Sequence, residues 1–193
     1  MSGNPGTRSG TNLSEKLSAE ELYDRYAPGL LSLCMRYCGN LEDAEDALHD
    51  GFIKIIRNKS KFVVRNGGSF EGWMKRIIIN TALNHCRSKS KERNLFSPDE
   101  HQQIQEVTDE TEEVSFDELA STIEKERIIE MICALPAGYR MVFNLYVFES
   151  WSHREIGAAL NCSESTSKSQ LSKARAFLRK RLYELLVIQN ENK

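Results

Sequence analysis

At 193 residues the chain can hold one large or two small domains, and its four prolines, scarce long apolar runs and predominance of helix formers place it in the all-α class. No apolar segment reaches membrane-spanning length and Met1 to Gly10 lacks the apolar core of a signal peptide, so the expectation is a cytoplasmic protein with no direct membrane insertion. The formal net charge of −2 hides a strong segregation, and the five cysteines, without a C-x-x-C pair or a His to complete a set near Cys34 and Cys38, fit reduced and mostly buried thiols. No metal or cofactor is expected.

Residues 1–16 have the composition of a disordered N-terminus, and a first unit is expected over 17–93. Ser18 and Glu21 form a capping box, in which each side chain serves an orphan N–H of the other residue. The helix it opens runs from Ala19 through Leu22, Tyr26, Leu30, Leu33 and Tyr37, with Pro28 as a point of bending, and Gly39-Asn40 stops it. Asn40 caps a second helix, Leu41 to Arg57, which buries Ala44, Ala47, Leu48, Phe52 and Ile55 and exposes Glu42, Asp43, Glu45, Asp46 and Asp50. From Glu15 to Asp50 nine acids face three cations; from Gly51 to Arg93 eleven cations face two acids. The basic stretch starts with a loop, Asn58 to Ser69, that closes on two glycines before Ser69 caps a third helix from Phe70 to about Ser90.

Rings interleaved with cations suit single-stranded nucleic acid, because bases stack on aromatic faces while Lys and Arg follow the backbone. The candidates are Lys59, Lys61 and Phe62 in the loop and Lys75, Arg76, Asn80, Asn84 and Arg87 on the helix. Asn80 and Asn84, four apart, present amides on one face, whereas Phe70, Trp73 and Ile77 read as core. An acidic linker follows over 94–119; from Asn94 to Glu126 there are eleven acids and one cation, Lys125.

The second unit, 120–188, holds the most specific pattern of the chain. Ser152 and Glu155 form another capping box, Ile156, Ala159 and Leu160 make an apolar stripe, Asn161 takes the left-handed turn, and Ser163 caps a second helix. These two capped helices form a helix-turn-helix. Leu171, Ala174 and Leu178 point inward. Ser165, Thr166, Lys168, Ser169 and Gln170 are candidates for base edges in a major groove, and Lys173 and Arg175 for phosphates. Arg179, Lys180 and Arg181 read as solvated surface.

These residues resemble the extracytoplasmic-function sigma factors. The resemblance rests on L-Y-D-R-Y-A-P, D-A-E-D-A-L-H-D-G-F-I-K-I-I and F-E-G-W-M-K-R-I-I-I-N-T-A-L-N-H-C-R in the first unit. In the second it rests on A-L-P-A-G-Y-R-M-V-F-N-L-Y-V-F-E and on S-H-R-E-I-G-A-A-L-N-C-S-E-S-T-S-K-S-Q-L-S-K-A-R-A-F-L, whose S-E-S-T-S-K-S-Q-L segment looks most like Bacteroidetes members. The resemblance implies a sigma2-like domain and a sigma4-like helix-turn-helix domain. It implies docking of the second helix on the β′ clamp of core RNA polymerase, with Asp43, Asp46, Asp50 and Lys54 as contacts, and a contact of the C-terminal domain with the β flap. It further implies recognition and melting of the −10 element of promoter DNA by the loop and third helix, reading of the −35 element by the helix-turn-helix, a linker threaded towards the active-site channel, and a membrane-bound anti-sigma factor as regulator. Asn161 stands where Gly is usual and Ser167 where many members have Val, which implies slightly weaker packing. The competing reading is a free-standing helix-turn-helix regulator that binds duplex DNA without polymerase. An enzyme is disfavoured, because the chain lacks a phosphate-binding glycine loop, a His and carboxylate metal cluster, and a nucleophile with a base beside it.

Overall fold

The computed structural model describes residues 17–63, 68–90 and 124–191, and within them every regular element is helical. The expected N-terminal tail and acidic linker lie outside the described residues. Three long helices form the first unit: α1 (Ala19–Cys38), α2 (Leu41–Asn58), extended by a 3-10 turn at Lys59–Lys61, and α3 (Phe70–Ser90). The second unit contains α4 (Lys125–Cys133), α5 (Ala137–Val147), α6 (His153–Leu160) and α7 (Glu164–Glu191). No helix among the described residues is long and apolar enough to cross a membrane.

The helix ends follow the local sequence. Ser18 Oγ accepts the Glu21 N–H at 3.1 Å while Glu21 Oε2 accepts the Ser18 N–H at 2.7 Å, closing the first capping box. α1 continues through Pro28 as one helix and ends on Gly39, whose φ of 80° is open to glycine at little steric cost. Asn40 Oδ1 accepts the Asp43 N–H and starts α2. Ser69 Oγ accepts the Gly72 N–H at 3.0 Å at the start of α3. Gly51 permits the closest approach of α2 to α3, since a Cβ there would run into the Ile78 side chain.

Each helix buries one apolar stripe, and apolar surface removed from water contributes roughly 25 cal/mol per Å². Leu22, Leu30, Leu33, Ala44, Leu48, Phe52, Ile55, Met74, Ile78 and Leu83 meet in its centre. Ile132, Leu135, Tyr139, Val142, Leu145, Ile156, Leu160, Leu171, Leu178 and Leu182 do so in the second.

The two units pack on each other, α4 and α5 against the C-terminal half of α1. Arg140 of α5 lies at the centre of this contact. Its Nε and Nη2 donate to the carbonyls of Tyr37 and Cys38 at 2.9 Å, and its Nη1 donates to those of Cys133 and Leu135 at 2.8 Å. The first two are last-turn carbonyls of α1, which have no intrahelical partner and carry the negative end of the helix dipole. Asn144 Nδ2 donates to the Arg36 carbonyl at 2.9 Å. The Arg36 guanidinium lies 4.1 Å from the Phe148 ring centroid and 3.6 Å from Glu149. Arg87 Nη1 of α3 donates to the Ala159 carbonyl of α6 at 3.0 Å.

Candidate nucleic-acid interface

The helix-turn-helix is built by α6 and α7. Ser152 and Glu155 close the capping box of α6, and those bonds hold the Glu155 carboxyl below its ordinary pKa. Asn161 adopts the left-handed turn at φ 56°, ψ 47°. Gly157 is required beside it: a Cβ would stand 2.7 Å from the Cys162 carbonyl oxygen. Ser163 Oγ accepts the Thr166 N–H at 3.0 Å and shares hydrogen bonds with the Ser165 and Thr166 hydroxyls at 2.8 and 2.7 Å. The exposed face of α7 therefore starts as a cluster of three hydroxyls.

Further along α7, Ser165, Lys168, Ser169, Lys173 and Arg175 are exposed and Thr166 is half-buried. The Lys168 ammonium pairs with Glu164 at 2.8 Å, which keeps that carboxyl below its ordinary pKa. Ser169 Oγ donates to the Thr166 carbonyl. Gln170 requires a correction. It is only 3 % exposed and cannot reach a base edge from this position. Helical periodicity explains it: Ser167, Gln170, Leu171, Ala174 and Leu178 form one inward stripe, wider than the leucines and alanine alone indicate.

Ser167, fully buried, reveals a contact that sequence reasoning missed. Its Oγ lies 2.9 Å from His153 Nδ1, the His153 ring stacks on Tyr146 with centroids 4.7 Å apart, and the Arg175 guanidinium lies 5.8 Å from the centroid of that same tyrosine. A hydroxyl in line with Leu171, Ala174 and Leu178 was the available signal, since buried hydroxyls require partners.

In the first unit α3 presents Arg76, Asn80 and Asn84 at four-residue spacing, all exposed, with Lys75 beside them paired to Glu71 at 2.9 Å. Lys61 is exposed, and Lys59 Nζ donates to the Leu17 carbonyl at 2.7 Å. Two expected nucleic-acid contacts have other positions. Phe62 is buried, 5.2 Å from Phe70 and 5.3 Å from Trp73 between centroids, because an apolar ring at the end of a basic loop gains more from this cluster than from water. Arg87 is half-buried and bonded to α6.

On the outer face of α2, Asp46 and Asp50 are exposed. Asp43 is half-buried: its Oδ2 accepts from Asn40 Nδ2 and its Oδ1 stands 3.7 Å from His85 Nε2, so it belongs to the helix start and the α2–α3 seam. Asp43, Asp46 and His85 bring ligand-type atoms within 4.8 Å of one another, with Asp43 engaged by the cap and the imidazole and Asp46 exposed. Lys54 is exposed, and its ammonium donates to Thr81 Oγ1 of α3 at 3.0 Å. Sequence reasoning also missed an apolar groove of about 330 Å³ between α1 and α2, lined by Ala19, Tyr23, His49, Phe52, Ile53, Ile56 and Arg57. Tyr23 remains 47 % exposed at its rim.

Comparison with known proteins decides which family uses these faces. Residues 22–92 match Sigma-70 region 2 and residues 125–178 match Sigma-70, region 4. The ECF RNA polymerase sigma factor SigW of Bacillus subtilis is 30 % identical over 174 residues, covering 86 % of this chain and 89 % of that protein. The chain belongs to the sigma-70 family, in its extracytoplasmic-function class. The ECF RNA polymerase sigma factor SigE of Mycolicibacterium smegmatis is 28 % identical over 163 residues, and the match spans 84 % of this chain but 60 % of that longer relative. The solved sigma factor RpoE from Bartonella quintana, in complex with the anti-sigma factor NepR, is 18 % identical with a TM-score of 0.47, over 86 % of this chain and 96 % of that one. In this sigma factor the region 2 match takes in nearly all of α1 and the whole of α2 and α3, and the region 4 match runs from α4 into α7.

Proposed function

We propose that the protein is a promoter-specificity subunit that acts inside bacterial RNA polymerase and itself makes or breaks no bonds. Asp46 and Asp50 on α2, with the adjoining apolar groove, dock on the β′ clamp of the core enzyme. Lys59, Lys61, Lys75, Arg76, Asn80 and Asn84 engage the −10 element, where capture of an unstacked base drives strand separation. Ser165, Thr166, Lys168, Ser169, Lys173 and Arg175 read the −35 element, the hydroxyls and Lys168 at base edges and the last two at phosphates. The second unit also reaches the β flap. The protein works in the cytoplasm, where a membrane-bound anti-sigma factor restrains it.

The observation that carries this reading is the pairing, in one chain of the family, of an exposed hydroxyl and cation face on the capped helix-turn-helix of the second unit with a first unit whose acidic helix borders an open apolar groove. A free-standing regulator would have no use for the first unit.

The test is co-elution with sigma-free core polymerase on a sizing column, followed by run-off transcription from a candidate promoter. Stoichiometric co-elution with new transcripts supports the sigma reading. No association, together with tight binding of duplex DNA alone, transfers the case to the free-standing regulator.

A further inference from the structure

The last residue of α1 and the C-terminal part of α3 bring two thiols together. Cys38 Sγ and Cys86 Sγ are 3.9 Å apart, the first buried and the second half-buried, and neither belongs to the nucleic-acid or polymerase faces. The inter-unit clamp surrounds them: Arg140 donates to the Cys38 carbonyl at 2.9 Å and to that of Tyr37, which also lies 3.6 Å from Cys86 Sγ. We propose that Cys38 and Cys86 are an oxidation site at which a hydroperoxide drives formation of an intramolecular disulfide between α1 and α3.

Access assigns the roles, since Cys86 is half-buried where Cys38 is buried, and the electrostatics act in the same direction. Cys86 is held below the ordinary thiol pKa, first by the hydrogen bond from Cys38 and then by the Arg140 guanidinium, against the opposing effect of burial. The same hydrogen bond and burial push Cys38 well above its ordinary value. Burial raises the other three thiols, Cys34 to about 12 and Cys133 and Cys162 upward as well. The nucleophile is the thiolate, so Cys86 reacts first.

In the first step the Cys86 thiolate attacks one peroxide oxygen: the S–O bond forms, the O–O bond breaks, hydroxide leaves, and sulfur is oxidised to the sulfenic acid as the peroxide is reduced. In the second the Cys38 sulfur attacks that of Cys86: the S–S bond forms, the S–O bond breaks, and the departing hydroxide takes the Cys38 proton as water. The sulfurs must close from 3.9 Å to about 2.0 Å. Cys38 directly precedes Gly39 in the left-handed region, where the chain turns out of the helix and can follow the movement. Because the Cys38 carbonyl is held by Arg140, the movement is transmitted to the clamp.

The experiment exposes the reduced full chain to stoichiometric hydrogen peroxide, alkylates remaining thiols and maps the peptides. The expected result is a Cys38–Cys86 linked peptide, reversed by dithiothreitol, with Cys34, Cys133 and Cys162 alkylated. Cys86 should oxidise at least about 10-fold faster than Cys162. Cys38→Ser should leave a Cys86 sulfenic acid that dimedone traps, and Cys86→Ser should abolish the linkage. Full alkylation of all five thiols after peroxide, or first oxidation at any of the other three, would overturn the proposal. The wild-type map decides the matter without requiring either variant to fold.

Discussion

Replacing Arg140 by alanine should loosen the contact between the two units. The guanidinium makes four hydrogen bonds of 2.8 to 2.9 Å, two of which, to the Tyr37 and Cys38 carbonyls, cross the contact. A hydrogen bond from a charged donor contributes about 1.5–3 kcal/mol net. Arg140 is half-buried and water can enter its place, so the lower figure applies, giving about 3 kcal/mol for the crossing pair. That is roughly a hundredfold in the equilibrium between packed and separated units. Spin labels attached at the exposed Glu45 and Lys180 through non-thiol chemistry would report the separation by pulsed electron resonance during a urea titration. With slopes of about 1–3 kcal/mol per molar, the midpoint for separation should fall by at least about 1 M. Arg36→Ala, which removes the contacts to Phe148 and Glu149 and leaves the hydrogen bonds inside the second unit intact, should move it the same way. An unchanged midpoint in both variants would refute the clamp.

Gly157→Ala should destabilise the helix-turn-helix by about 1–3 kcal/mol, seen as a lower urea midpoint for the second unit, because its Cβ meets a backbone oxygen that cannot swing away. Gln170→Ala should lower thermal stability and leave −35 sequence preference unchanged, whereas Lys168→Ala should relax that preference; a specificity change on Gln170→Ala in a footprinting series would restore it as a base contact. Lys173→Ala and Arg175→Ala should each reduce the salt dependence of promoter binding by about one unit of slope, measured by fluorescence anisotropy between low and physiological salt. The Glu155 carboxyl, held below its ordinary pKa by Ser152, stabilises the folded state fully above the unfolded carboxyl pKa near 4.3 and loses that contribution as pH falls through the lower folded value. The stability difference between wild type and Ser152→Ala should therefore narrow below about pH 4, and a constant difference across an acid titration would argue against the capping box.

Helix starts and stops were legible because they are written within three or four residues. Ser18 with Glu21, Asn40, Ser69, Ser152 with Glu155, and Ser163 each accept the N–H the sequence pattern assigns them, and Gly39 and Asn161 both adopt positive φ. A cap is a local bond, so spacing alone locates it. The exposed faces of α3 and α7 were legible in part. Residues such as Arg76, Asn80, Lys168 and Lys173 sit where helical periodicity points them outward.

The destinations of long side chains needed the tertiary structure. Lys54 reaches Thr81 across 27 positions, Arg87 reaches Ala159 across 72, and Arg140 reaches Tyr37 across 103. In each case the partner is a polar group exposed by packing two helices that the sequence keeps apart, and a flexible cation extends to whichever such group lies within its length. Composition marks these residues as basic; it cannot distinguish a cation that holds a fold together from one left for DNA. Phe62 and Gln170 differ for the same reason, since the neighbours that bury them come from α3 and from the second unit's core. The sequence by itself determined α1, α2, α3, α6 and α7, their caps and the helix-turn-helix, because short-range bonds and periodicity suffice for those, whereas α4 and α5, which start without a side-chain cap, came only with the structure. Only the packing of the helices decided which polar side chains remain exposed, opened the groove between α1 and α2, and joined the two units through Arg140.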